Sequence, residues 1–223
     1  MSMPPNTDQT PSQLQRGLAR YLKPEQLRRL ASVRVGIAGA GGLGSNCAML
    51  LVRSGVRSFT IADFDLVEAS NLNRQFYFPP DLGQSKVEAL GRNLRAIDPG
   101  LDLRLLHGRL DEPGLAGAFA GCEIVVEAFD RAEYKAALCN TLAGSAFLIC
   151  ASGLGGFGGA PLLKRRLGRG MVCVGDFCTE AGEKAPPLAP RVMQAAAMQA
   201  DAVLEYILTE MSSRNKITDR NKT

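Results

Sequence analysis

Val33-Arg34-Val35-Gly36-Ile37-Ala38-Gly39-Ala40-Gly41-Gly42-Leu43-Gly44 runs an apolar, β-branched stretch directly into a glycine cluster. Leu43, Cys47, Leu50 and Leu51 then recur at helical spacing, and Gly55 stands where a helix would stop. A second apolar run, Phe59 to Ala62, ends on Asp63. Strand, glycine turn, helix, strand is one βαβ unit. Gly39-x-Gly41-x-x-Gly44 fits the dinucleotide fingerprint, and Asp63 lies 19 residues beyond Gly44, where a ribose-binding carboxylate is expected. Glycines let the backbone approach an anion, and the following helix presents unpaired N–H groups and the positive end of its dipole. The pattern alone does not separate NAD from ATP.

The alternation continues outward. Lys86 to Ile97 predicts a helix stopped by Asp98-Pro99-Gly100, and Leu101–Leu106 a strand. A short helix at Pro113–Phe119 precedes a strand over Ile124-Val125-Val126, whose tip is Ala128-Phe129-Asp130. A helix from Ala132 to Leu142, a buried strand Phe147–Cys150 and a glycine loop at 153–159 follow, then short strands near 161–167 and 171–174. The last helix opens at Pro190 with an apolar stripe of Met193, Ala197, Ala200, Leu204, Ile207 and Met211. Ahead of the unit, Leu14, Leu18 and Leu22 predict an amphipathic helix, and Pro24-Glu25-Gln26 opens another ending near Leu30. The whole reads as α/β: a doubly wound, Rossmann-like, mostly parallel sheet with helices on both faces.

Composition narrows the chemistry. The chain has 223 residues, 46% hydrophobic and 22% charged, with 24 glycines, as suits one large folded domain. One histidine, His107, excludes a multi-histidine metal site within the chain, and no pair among the six cysteines is spaced C-x-x-C, so no zinc site is expected. The start, MSMPPNTDQTPSQ, lacks the basic and apolar regions of a secretory signal, and the unpatterned cysteines suit a reducing cytoplasm. The charge-free stretch Ala136–Leu163 is broken by six glycines and a proline, which argues against a membrane span. A net charge of +4 permits an anionic substrate, but no dense basic block points to DNA.

Beyond the second strand the sequence becomes specific. Asp63-Phe64-Asp65-Leu66-Val67 leads to Ser70-Asn71-Leu72-Asn73-Arg74-Gln75 and then Gly83-Gln84-Ser85-Lys86. This block resembles the ThiF/MoeB/HesA family, relatives of the ubiquitin-activating enzymes. The likeness is dense from Val33 to Asp130 and looser to the last helix, with Ala189-Pro190-Arg191-Val192 and the run at 196–200 similar to a short ThiF-like branch.

The resemblance implies an adenylyltransferase that uses ATP and Mg2+ to activate the C-terminal glycine carboxylate of a small carrier. A ThiS-like sulfur carrier in thiamine thiazole synthesis is the first expectation. A MoaD-like carrier or a modified tRNA nucleoside is the alternative within the family, and a nicotinamide-binding Rossmann protein or a silent scaffold lies outside it. Arg74, Lys86 and Asp130 are the implied catalytic residues. Gly39, Gly41, Gly42, Gly44, Asp63, Asp65, Asn71, Arg74, Gln75 and Lys86 would bind the nucleotide, with Asp130 holding magnesium. Arg74 offers a fixed fork to phosphate oxygens, and Lys86 a mobile point charge. A homodimer is implied, with Arg16 (or Arg20) of the second copy reaching the phosphates.

Each residue also has a plainer reading. Asp65 could only order its loop, Arg74 and Lys86 could be solvated surface charges, and Asp130 could cap the helix beginning at Arg131. The 153–159 glycines could line a channel for a carrier's Gly-Gly tail or form a turn. His107 is expected to be structural, and Cys173 and Cys178 lie near a segment where some relatives carry a covalent cysteine. The expected organisation is an N-terminal helical arm at 1–32, one ATP-binding domain at 33–211 and a polar tail at 212–223.

Overall fold

The computed structural model describes residues 11–210, so the polar tail and Met211 lie outside the described residues. The βαβ unit forms as read: β1 (Arg34–Ala38), α3 (Gly42–Arg53) and β2 (Ser58–Asp63), with Gly55 at a φ of +102° ending the helix. The arm supplies α1 (Gln13–Leu18) and α2 (Pro24–Ser32). Ser12 caps α1 by accepting from Gln15 N, and Pro24 occupies the first turn of α2, where no N–H is needed. Leu30 of α2 is buried in the main core.

Downstream come α4 (Lys86–Ile97), β3 (Asp102–His107), α5 (Glu112–Ala118), β4 (Ile124–Glu127) and α6 (Ala132–Leu142). β5 (Phe147–Ala151), β6 (Leu163–Leu167), β7 (Met171–Gly175) and α7 (Ala189–Glu205) complete the described elements, and α7 runs on into a wider turn over Tyr206–Glu210. Two short 3-10 turns, Ala69–Asn71 and Pro79–Asp81, lie in the β2–α4 connection, where the sequence offered no periodicity to predict them.

The sheet order is β3-β2-β1-β4-β5-β7-β6, parallel throughout except for β6, which pairs antiparallel to β7 at the edge. The expected doubly wound architecture is the observed one. One face packs on α3, α4 and α7, and the other on α5 and α6. Strand order reverses between β1 and β4, which opens a crevice at the carboxyl ends of those strands.

The apolar stripe of the last helix holds at Ala200, Leu204 and Ile207 and departs from the expected one at its start. Met193 and Ala197 face outward, whereas Val192, Ala195, Ala196, Gln199, Ala200 and Val203 face the core. The buried amide explains the shift. Gln199 Nε2 donates to the carbonyls of Glu127 and Ile149, and this polar residue occupies a core position that a hydrophobic pattern skips.

Candidate functional site

The β1–α3 turn is built for close backbone approach. A Cβ at Gly44 would overlap the carbonyl oxygen of Gly39, and one at Gly39 would sit 2.7 Å from Ala128 O at the tip after β4. Gly39 also has a φ of +102°, which side-chain-bearing residues rarely adopt. Gly41 precedes α3, whose first turn holds no acidic residue, so its N–H groups and dipole face the crevice uncompensated. Ser45 and Asn46 brace the turn from below. Ser45 Oγ donates to Gly41 O and accepts from Phe76 N, while Asn46 Nδ2 donates to the carbonyls of Gly42 and Arg74.

Asp63 lies at the end of β2. Its Oδ2 accepts from Ala40 N at 2.6 Å and its Oδ1 from Asp65 N at 2.8 Å, tying the strand end to the glycine turn. Burial raises its carboxyl above the usual range, against the opposing pull of these N–H groups and of Lys86. Tyr77 adds a third tie, donating to Ala40 O at 2.7 Å.

The expected charged residues converge, with one change of role. The Lys86 ammonium is buried and pairs with Asp65 at 2.7 Å, so it is an anchored charge rather than a mobile one. Asp65 thereby orders its loop through a bond to the motif's own lysine. Arg74 packs its stem against Gly42 and donates from Nη1 to Ser70 O and Asn73 Oδ1. Its guanidinium is lowered by partial burial and supported electrostatically by Asp130. Asn71 orders the loop, its Oδ1 accepting from Glu68 N and its backbone carbonyl from Arg74 N and Gln75 N. Gln75 is buried with Nε2 beside Gly41, and its Oε1 has no partner among the described residues.

Asp130 is exposed and does not cap α6; Arg131 occupies that position. It sits in the electrostatic field of Arg74, across the crevice from α3. Arg16 is not brought to this site within its own chain. It lies with Gly55 at the far end of α3, which at 12 residues is about 18 Å long.

A cavity of about 370 Å³ opens beside the glycine turn, at the ends of β2, β3 and β4. Asp63, Phe64, Arg109, Leu115, Phe129 and Tyr134 contribute to its wall. Arg109 stacks over Phe64 at 4.5 Å, and Tyr134 meets Phe64 and Phe129 edge-on. Sequence reading missed Phe64, Arg109 and Tyr134. The aromatic placed directly after Asp63 was the available signal. His107 sits at this rim with Nε2 3.1 Å from Phe64 O, a structural contact.

The second half of the site is made of loops. Gly155 N and Gly156 N donate to Thr179 O and Pro186 O, so the glycine loop is laced to the segment preceding α7, with Phe157 exposed at its tip. Arg191 of α7 donates to Gly158 O, Ala160 O and Asp176, and Asp176 Oδ1 accepts from Cys178 N and Thr179 N. Cys173 is buried in β7, its thiol raised by burial, whereas Cys178 is exposed on the loop. Among the described residues no group of three or more His, Cys, Asp or Glu is placed to hold a metal, and no helix is long and apolar enough to cross a membrane.

This arrangement has known counterparts. The chain is 36% identical over 109 residues to the SAMP-activating enzyme E1 of Haloferax volcanii, covering 48% of this chain and 40% of that protein. It is 34% identical over 107 residues to the molybdopterin-synthase adenylyltransferase of Salmonella typhimurium, covering 48% and 43% respectively. The aligned part therefore spans about two fifths of those relatives. The fold matches that of the E. coli tRNA N6-threonylcarbamoyladenosine dehydratase TcdA in complex with AMP, with a TM-score of 0.80 at 20% identity over 88% of this chain and 94% of that one. The ThiF family pattern matches residues 13–222, nearly the whole sequence, and the chain belongs to the ThiF family.

Proposed function

We propose that the chain catalyses ATP-dependent adenylation of a carboxylate, releasing pyrophosphate, and that its acyl substrate is the C-terminal glycine of a small ubiquitin-like carrier. The observation that carries this is the joining of the glycine turn, at an uncapped helix N-terminus, to Arg74 on one side and an aromatic-walled cavity on the other. The cavity suits a purine base, Asp63 at its edge suits the ribose hydroxyls, and the turn suits phosphates. The names of the two curated relatives support the same chemistry.

In this reading the substrate carboxylate oxygen attacks the α-phosphorus, a C–O–P bond forms, and the bond to the β-phosphate oxygen breaks. Arg74 and the α3 N–H groups stabilise the added negative charge, Gln75 orients the phosphates, and Lys86 holds the loop through Asp65. No side chain need be covalently modified. The Asp130 carboxylate makes no hydrogen bond or ion pair among the described residues, so it is free to act as a hard oxygen ligand. One such ligand fits an ion held otherwise by phosphates and water. Bound there, Mg2+ would supply neutralising charge on the phosphates. Arg16 would serve the site only from a second copy.

Among carriers, a ThiS-like protein remains the first candidate, with a MoaD-like one beside it. A tRNA-borne carboxylate is the second reading, favoured by the near-complete overlap with TcdA. Pyrophosphate–ATP exchange tests all of these. Exchange should require a Gly-Gly-terminated carrier and collapse in Arg74→Ala and Asp130→Ala. Exchange supported by tRNA and by no carrier selects the second reading, and tight NAD binding without exchange sinks both.

A further inference from the structure

β4 ends on a carboxylate where a strand interior is expected. Glu127 is 1% exposed, and the four residues of β4 are all buried. Lys135, one turn into α6, donates to both of its carboxylate oxygens, at 3.1 and 2.9 Å, and to Ala151 O on β5. Glu127 Oε1 also accepts from Phe129 N at 2.7 Å, and Gln199 of α7 binds the Glu127 carbonyl. The other titratable groups facing it are Cys139 of α6, Cys150 of β5 and Cys173 of β7, thiols that add no positive charge. Burial raises this carboxyl despite Lys135 and the N–H of Phe129. A buried charge so held is no economical source of stability, since an apolar pair of similar volume is often as good.

Its placement suggests a different use. Glu127 and Lys135 bracket the tip Ala128-Phe129-Asp130. Ala128 O meets the glycine turn at Gly39, Phe129 walls the cavity, and Asp130 faces Arg74. Among the described residues, the bond from Phe129 N to Glu127 is the side-chain tie that fixes the turn of this tip.

We propose that Glu127 and Lys135 are positioning residues for the nucleotide site, their buried ion pair setting the tip that presents Phe129 to the base and Asp130 to the phosphates. This rests on the adenylation reading above. Neither residue touches the nucleotide, and both act through the Phe129 amide and the path of the tip.

Amide hydrogen exchange on the nucleotide-free chain and calorimetric titration with Mg·ATP test it together. In Lys135→Met the Phe129 amide should lose protection and Mg·ATP should bind about 10–100-fold more weakly, the range for removing a residue that orients a ligand from behind. Lys135→Arg should restore both. The Glu127→Gln/Lys135→Met double variant, which leaves no unpaired buried charge, keeps the test readable if Lys135→Met folds poorly, and it should still bind more weakly than wild type. Asp130→Asn combined with Lys135→Met should be non-additive in binding, because the second change acts through the first residue. Lost amide protection with unchanged Mg·ATP affinity overturns the proposal, as does strict additivity with Asp130→Asn. A wild-type chain that binds no ATP overturns the adenylation reading, and this inference with it.

Discussion

Two buried acid–base pairs, Glu127–Lys135 and Asp176–Arg191, do opposite things with similar parts. Both carboxylates are essentially inaccessible. Burial pushes each of them up. At Asp176 the hydroxyl and N–H of Thr179, the N–H of Cys178 and the Arg191 guanidinium outweigh it, and the carboxyl falls well below the usual range. At Glu127 burial prevails over Lys135 and the backbone donors, and the carboxyl stays high. Backbone and hydroxyl donors plus a planar fork compensate desolvation in one case, and an ammonium with backbone donors alone does not in the other. The difference follows the surroundings. Asp176 and Arg191 hold loops that no sheet organises, so the knot there is the structure. Glu127 lies on a strand the sheet already secures.

The sharpest way to break this contrast is Arg191→Ala, which leaves Asp176 buried without its cation and the carbonyls of Gly158 and Ala160 without their donor. Stability should fall by about 3–5 kcal/mol; a urea titration showing under ~1 kcal/mol would erase the distinction. Next in size, Arg74→Ala should cost about 2.7–4 kcal/mol in exchange activity, a factor of 10²–10³. Its thermal midpoint should barely move, because the residue stands over the turn rather than within a knot.

Acid titration should separate the pairs by sign. Asp176 is lower when folded than when unfolded, so its contribution is present above an unfolded value of about 3.9 and is lost as pH falls below it. Glu127 is higher when folded, so its charged form costs stability, and that cost disappears as pH falls through its folded value. Asp176→Asn should therefore flatten the acid limb of stability, whereas Glu127→Gln/Lys135→Met should stay within ~1 kcal/mol of wild type at neutral pH. The smallest effect is expected at the exposed pair of Lys164 with Glu205, where Lys164→Ala should change stability by no more than about 1 kcal/mol in the same urea assay.

The first half of the site was legible because its constraints are local. Gly39 and Gly44 are demanded by backbone geometry within one turn, and Asp63 by its distance along the chain. Arg74 and Lys86 were legible as members of a motif, but the pairing of Lys86 with Asp65 was not, since it depends on how a long connection folds back. Glu127, Asp176 and Arg191 carried no signal as a set, because their charged partners lie 8 residues away for Glu127 and 15 for Asp176 and Arg191. The first turns of the α7 face, at Met193 and Ala197, depart from the expected stripe for a related reason. Alanine gives little contrast between faces, and Gln199 is buried by partners on two distant strands.

β6 carries Lys164, Arg165 and Arg166 in succession, on the exposed strand that ends the sheet beyond β7. Lys164 is drawn to Asp201 and Glu205, Arg165 lies over Phe177 and Arg166 over Phe147, so the three cations stay spread along the strand. A second copy offering the same strand would bring Arg165 and Arg166 of each chain close to those of the other. The rim of the sheet is thereby guarded against β6-to-β6 pairing of two copies, which an uncharged edge of this length would invite.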